Sequence, residues 1–248
     1  MDEGWTRYVL EAFEFPYTTV RDKDIRAGNL RAQHDVIVLP EASFASMRSG
    51  LSAGTMPPEY TGGMTPSGVE QLHRFASDGG TIVALGGASE LPLVAFGVPV
   101  RDVAANRPES EFYIPGTLLN VEVDTTHPLA WGMPAQAKVF FDQSPVFAVG
   151  PPSGRPGRPQ PVASTEGVKT VAHYPEKDIL ASGWLLGESV LRNRAALVEA
   201  PVGKGRVVLV GFRSQHRGQS HGTYKILFNA LYRATTESLK SATPTASR

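Results

Sequence analysis

The sequence predicts an α/β domain built on a mostly parallel, doubly wound sheet with a β-rich second half. Three observations predict it. Two short apolar runs, Val36-Ile37-Val38-Leu39 and Thr81-Ile82-Val83-Ala84-Leu85, have the continuous hydrophobicity of strands buried on both faces. Helical patterns alternate with these runs, as they do when helices cover both faces of a parallel sheet. From residue 118 to residue 200 the chain then turns to alternating or apolar runs of strand length.

Taken in order, residues 3–14 read as an amphipathic helix, with Trp5, Tyr8, Val9, Ala12 and Phe13 on one face and Asp2 as its N-cap. Residues 16–20 are strand-like, and residues 49–65 form a glycine- and proline-rich loop. A helix over 67–77 stops at Gly79-Gly80, and a short one over 91–96 follows the turn Gly86-Gly87-Ala88-Ser89-Glu90. Residues 119–123, 138–141, 168–173 and 195–199 read as strands. The tight turn Gly203-Lys204-Gly205 leads into the strand 206–212, and a helix over 224–233 closes the fold.

The pattern fits one domain over residues 1–237, with a proline-, glycine- and arginine-rich loop insertion at 151–161 and an unstructured tail at 238–248. A doubly wound domain normally opens on a central strand, but here a helix pattern begins at residue 3 with no strand before it. The first strand is therefore expected to be missing. A sheet lacking a central strand exposes unpaired backbone, which favours reading the chain as a piece of a longer protein.

Composition narrows the function. Lysine plus arginine equals aspartate plus glutamate at 24 each, so there is no basic excess, and no nucleic-acid partner is expected. The absence of cysteine excludes disulfides, thiolate zinc sites and thiol catalysis by this chain. No run approaches the ~18 apolar residues of a membrane span, so no membrane partner is expected. The first residues lack the pattern of a signal peptide, which leaves the compartment open. The glycine pairs at 79–80 and 86–87 are not a dinucleotide fingerprint, and no cofactor is expected.

Four runs belong together: Met1-Asp2-Glu3-Gly4-Trp5-Thr6-Arg7, Ala53-Gly54-Thr55-Met56-Pro57-Pro58-Glu59-Tyr60-Thr61-Gly62-Gly63, Ser182-Gly183-Trp184-Leu185-Leu186-Gly187 and Gly211-Phe212-Arg213-Ser214-Gln215-His216-Arg217-Gly218-Gln219-Ser220-His221. As a set they resemble the C-terminal, class I glutamine amidotransferase-like domain of bacterial carboxypeptidase A-like zinc peptidases. The resemblance spans residue 1 to about residue 233, apart from the 151–161 loop. It implies a flavodoxin-like fold, a strand ahead of the Asp-Glu-Gly-Trp run, and a zinc peptidase domain as partner in cis or in trans. The peptidase domain is not in this sequence, and no metal-binding residue is carried over from it.

Class I amidotransferases place a cysteine on a sharp strand-to-helix turn whose backbone N–H groups form an oxyanion hole. The corresponding turn here is Gly86-Gly87-Ala88-Ser89-Glu90, with Ala88 or Ser89 at the aligned position. Ser89 and His216 are the candidate catalytic pair of a serine-type hydrolase; the plainer role for Ser89 is to cap the next helix. His216 follows a late strand, as an amidotransferase histidine does, but Arg217-Gly218 stands where Pro-Glu is usual, so the orienting carboxylate is missing.

Arg213, Gln215, Arg217, Gln219 and His221 are the candidate ligand-binding residues. They sit after a strand, at the edge where open α/β sheets bind ligands. Glu41, Gly86, Gly87, Ser89 and Glu90 are expected on the same edge, together with Asp2 and Glu3. Such a polar cluster equally suits a hydrogen-bond network that fixes loops, or a docking face. Asp124 and His127 read as a turn before Pro128, and Trp131 and Trp184 as packing or interface aromatics. The expected function is that of a non-catalytic accessory or interaction domain, with the hydrolase and a polar-ligand module as alternatives.

Overall fold

A computed structural model describes residues 1–150 and 164–242. The expected loop insertion at 151–161 and residues 243–248 of the expected tail lie outside the described residues. The chain begins with helix α1 (Asp2–Ala12) and a short α2 (Asp22–Ala27), then strand β1 (Val36–Leu39) and α3 (Phe44–Ser49). Helix α4 (Thr65–Ser77) precedes β2 (Thr81–Leu85), and α5 (Glu90–Ala95) precedes β3 (Val100–Asp102). The second half holds β4 (Pro115–Val123), β5 (Gln136–Asp142), β6 (Phe147–Val149), β7 (Lys169–His173), β8 (Leu180–Ser182), β9 (Ala195–Val202) and β10 (Gly205–Val210), and ends in α6 (Tyr224–Ala242).

These strands form one mixed sheet whose main path runs β1-β2-β10-β9-β7-β4-β5. Its parallel part is narrower than the alternation of strand and helix suggests. Among the described strands only β1–β2 and β2–β10 pair in parallel, while β10–β9, β9–β7, β7–β4 and β4–β5 are antiparallel. The reason is connection length. Helix α4 lies in the crossover from β1 to β2, whereas β9 and β10 are joined by the tight turn Gly203-Lys204, where Gly203 has φ +58°.

The sheet is covered on both faces, as a doubly wound sheet is. Leu10 of α1 and Ile226, Leu227 and Ala230 of α6 pack on the face that carries Val83, Leu85, Val208 and Val210. Ile25 of α2 and Leu72, Phe75 and Ala76 of α4 pack on the other face, against Ile37, Leu39, Ile82, Ala84, Val207 and Leu209. The three parallel strands are thus apolar on both sides, which is why they read as unbroken hydrophobic runs.

Several expectations need correction. Residues 16–20 form no strand: their β-branched residues have no neighbour to pair with. Met1, not Asp2, is the N-cap of α1, and Asp2 lies in the first turn with its carboxylate committed elsewhere. Helix α6 runs on to Ala242, through part of the expected tail. The six-residue helices α2 and α3 were not anticipated: six residues are too few to display a helical period, and neither follows a glycine turn like the one that marks the equally short α5. Local caps hold them: Asp24 accepts from the Arg21 N–H at 3.0 Å, and the Ser43 hydroxyl accepts from the Ser46 N–H at 3.2 Å.

Candidate functional site

The C-terminal ends of β1, β2 and β10 gather the residues expected there. Leu85 ends β2, and the chain turns at once through a single helical turn, Gly86–Ser89, into α5. Gly86 sits in the left-handed region at φ +53°, so it is the sharp residue of the elbow, rather than Ala88 or Ser89. No larger side chain fits there as the site stands: a Cβ on Gly86 would come within 1.5 Å of Glu41 Oε2. Glu41, just past β1, is anchored over the elbow, and its Oε1 accepts the Gly87 N–H at 2.9 Å. A backbone donor of the kind that would serve an oxyanion is thus spent on a resident carboxylate.

Arg213, just past β10, holds that carboxylate in place. Its Nη1 lies 3.3 Å from Glu41 Oε2 and 3.3 Å from Asp2 Oδ1, and its Nη2 lies 3.5 Å from Asp142 Oδ2. Its backbone N–H donates to the Phe140 carbonyl at 2.9 Å, which ties the loop to β5. One guanidinium therefore bridges α1, the β1 loop and the end of β5. Burial raises the Glu41 carboxyl above its ordinary value; Arg213 and the Gly87 N–H oppose the rise, and Asp2 and Asp142 add to it.

The structure does not bring Ser89 and His216 together as a nucleophile and base. Ser89 is fully buried, and its hydroxyl turns back to donate to the Ala84 carbonyl at 3.3 Å. Nor does Ser89 cap α5 through its side chain. The His216 ring packs on Phe140 at 4.7 Å between centroids, with its Nδ1 buried and without a hydrogen-bond partner among the described residues. Burial lowers its proton affinity, and Arg213 and Arg217 lower it further.

The five candidate ligand residues divide into two sets. Arg213 and Gln215 are built into the fold: Gln215 is buried, and its Nε2 lies 3.3 Å from Thr6 Oγ1 of α1. Between Asp2, Glu41, Gly86, Arg213 and Gln215 only about 10 Å³ of free space is left, less than a ligand needs. Arg217, Gln219 and His221 are exposed on the outer part of the loop, which packs against Trp5 and Tyr8 near Gly218.

A larger concavity lies beside the elbow, where the sequence gives no motif. It encloses about 770 Å³ between α5 and the loop that follows β3, and its lining includes Gly87, Glu90, Arg101, Asp102 and Tyr113. Asp102 is raised by burial, and its Oδ1 accepts from the N–H groups of Ala104 at 2.9 Å and Val146 at 3.0 Å. That carboxylate braces the wall. A single acidic residue ending a three-residue strand leaves no signal by which sequence patterns could have found it.

Metal chemistry finds no support in side-chain placement. The spacing His173-x-x-Glu176 does occur in the chain. His173, however, lies on β7 with its Nε2 3.0 Å from Glu122 Oε2, and no group of three or more His, Asp or Glu side chains suited to a metal exists among the described residues. A second buried polar group is structural: His127, 3.8 Å from Glu199, which pairs with Arg233 of α6.

No protein-family model and no curated protein matches the chain. Solved structures do. A GMP synthase-like protein of Thermoplasma acidophilum aligns with 96% of this chain and 91% of its own, at 12% identity and a TM-score of 0.54. A cytoplasmic protein of Salmonella typhimurium aligns over 94% of this chain and 85% of its own, at 12% identity and a TM-score of 0.53. A ThuA-like protein of Bacteroides uniformis aligns with 94% of this chain and 81% of its own, at 12% identity and a TM-score of 0.46. The chain has a flavodoxin-like, class I glutamine amidotransferase-like fold, and at such identity the likeness speaks for the fold alone. None of these matches links it to carboxypeptidase-associated domains.

Proposed function

We propose that this chain is a non-catalytic interaction domain on an amidotransferase-like scaffold. One observation carries the reading: the Glu41 carboxylate stands where a nucleophile on the elbow would project, held by Gly87 and Arg213. The site is filled from within the chain, and the ionic cluster joins three segments of the fold as a structural tie. What remains exposed at that end, Arg217, Gln219 and His221 over Trp5 and Tyr8, has the mixed aromatic and polar character of a protein contact. The partner we assign is a carboxypeptidase A-like zinc peptidase domain, on the resemblance of the four sequence runs.

The test has two arms. Hydrolysis of p-nitrophenyl acetate and γ-glutamyl p-nitroanilide is measured for the wild type and Ser89→Ala; equal rates are expected, and turnover lost in the variant overturns the non-catalytic reading. Mixing with a purified peptidase domain from a protein that carries all four runs is expected to give a complex weakened by Arg217→Glu. No association overturns the assignment of the partner.

A second reading, a polar-ligand module, is favoured by the cleft of about 770 Å³ beside the elbow, whose size and mixed lining suit a small molecule. Thermal shifts with amino acids, nucleotides and sugars test it. A shift abolished by Arg101→Ala supports it, and no shift across the panel removes it.

A further inference from the structure

A slot of about 500 Å³ runs along the free edge of β1, on the side away from β2. All four residues of β1 line one wall, and residues 16–20 line the opposite wall. Leu10 and Leu231 close it from the face of α1 and α6, and Ile25 and Met64 from the face of α2 and α4. The slot thus lies in the plane of the sheet, between the same two layers that cover the other parallel strands. Apolar side chains of the two layers line it together with polar ones, among them Glu3, Arg7, Asp22, His34 and Asp35. Strand β1 pairs with β2 alone among the described strands, and residues 16–20 belong to no strand.

Burial shows the same gap. Val38 is half-buried, whereas Val83, its neighbour in register on β2, is fully buried. An edge strand that is apolar on both faces is an open template for another strand, and natural proteins usually protect such edges with charge, proline or a bulge. Val36-Ile37-Val38-Leu39 carries none of these.

We propose that this slot is a strand-acceptor site. It takes a short apolar segment of a partner polypeptide, which adds to the sheet parallel to β1. The recognition chemistry is β-augmentation: main-chain hydrogen bonds to β1 supply affinity, and the two apolar layers select residues that are hydrophobic on both faces. Four residues of β1 at ~3.3 Å each match a segment about 13 Å long. Parallel direction follows from the neighbours, since β1, β2 and β10 all run the same way. A strand so directed ends beside the first turn of α1, because Asp2 and Glu41 both lie 3.3 Å from Arg213 at that end. The site is separate from the elbow and does not depend on whether the elbow is catalytic.

The experiment is hydrogen exchange on the full chain, read at residues 36–39. The first arm adds an acetylated peptide, Lys-Val-Leu-Val-Val-Lys, with a control in which the central Leu-Val is Pro-Pro. The second arm fuses the same six residues ahead of Met1 through a Gly-Ser linker, which raises their effective concentration. The expected result is exchange slowed about tenfold or more at residues 36–39 in at least one arm, with no slowing by the proline control. Unchanged exchange in both arms overturns the proposal. So does equal slowing by the proline peptide, or protection that appears without peptide as the chain dimerises, since the occupant is then a second copy.

Discussion

Glu41 and Gly86 share one space: a carboxylate oxygen of the first lies 1.5 Å from where a side chain on the second would begin. Gly86→Ala is therefore expected to destabilise the fold in two ways. A non-glycine residue in the left-handed region costs roughly 1 kcal/mol, and displacing Glu41 from Gly87 and Arg213 costs roughly 1–3 kcal/mol more. Urea unfolding of G86A, E41A and the double variant separates the two terms. The double variant should be more stable than the sum of the single losses implies, because the displacement is counted only once.

Glu41 also gives stability a defined pH dependence. Its folded-state value is raised above 4.5, chiefly by burial. Between 4.5 and that raised value the folded chain holds a proton that the unfolded chain has released. The contribution is complete below 4.5 and is lost as pH climbs through the folded value. The difference in unfolding free energy between wild type and Glu41→Gln should be more favourable to wild type at pH 4 than at pH 7, as measured by urea titration at each pH.

The sign is opposite for His216. Its folded value lies below 6.5, because of burial and then Arg213 and Arg217. The stability of keeping it neutral is present above 6.5 and is lost as pH falls through the folded value. His216→Phe keeps the contact with Phe140 and removes the buried unpaired nitrogen. It should match the wild type to within about 0.5 kcal/mol at pH 7.5 and be more stable than it at pH 5.

Arg233→Leu tests the second buried cluster. Glu199 is only 7% exposed, and removing its partner leaves a buried carboxylate, at a cost of about 3 kcal/mol. The same change should raise the proton affinity of His127, which burial lowers first, Glu199 raises and Arg233 lowers. An NMR titration of the His127 ring reads this directly.

The parallel strands were legible in the sequence because burial on both faces leaves unbroken apolar runs, and α1 and α4 because they are long enough to show a period. The three-residue strands β3, β6 and β8 were not, since three residues carry no alternation. Position alone placed Glu41, Gly86 and Arg213 on one edge. It did not show that they close upon one another. Asp142 was invisible because a lone acid at a strand end has no motif, and its meeting with Arg213 is a product of sheet order. The resemblance put Ala88 or Ser89 at the elbow, whereas the positive φ falls on Gly86, because four successive small residues, Gly86-Gly87-Ala88-Ser89, do not fix the register of the turn.

The Arg213 cluster joins the start of the chain to a point near its end, with Asp2 and Arg213 separated by 211 positions. Arg213 is made 211 residues after Asp2, so the tie closes only once the segment between them has been made. Bringing such distant positions together carries a loop-closure cost, and a contact made after the folding transition state acts on the rate of opening rather than on that of folding. The cluster is in this sense a latch: its strength governs how long a finished molecule stays shut, not how fast it is assembled.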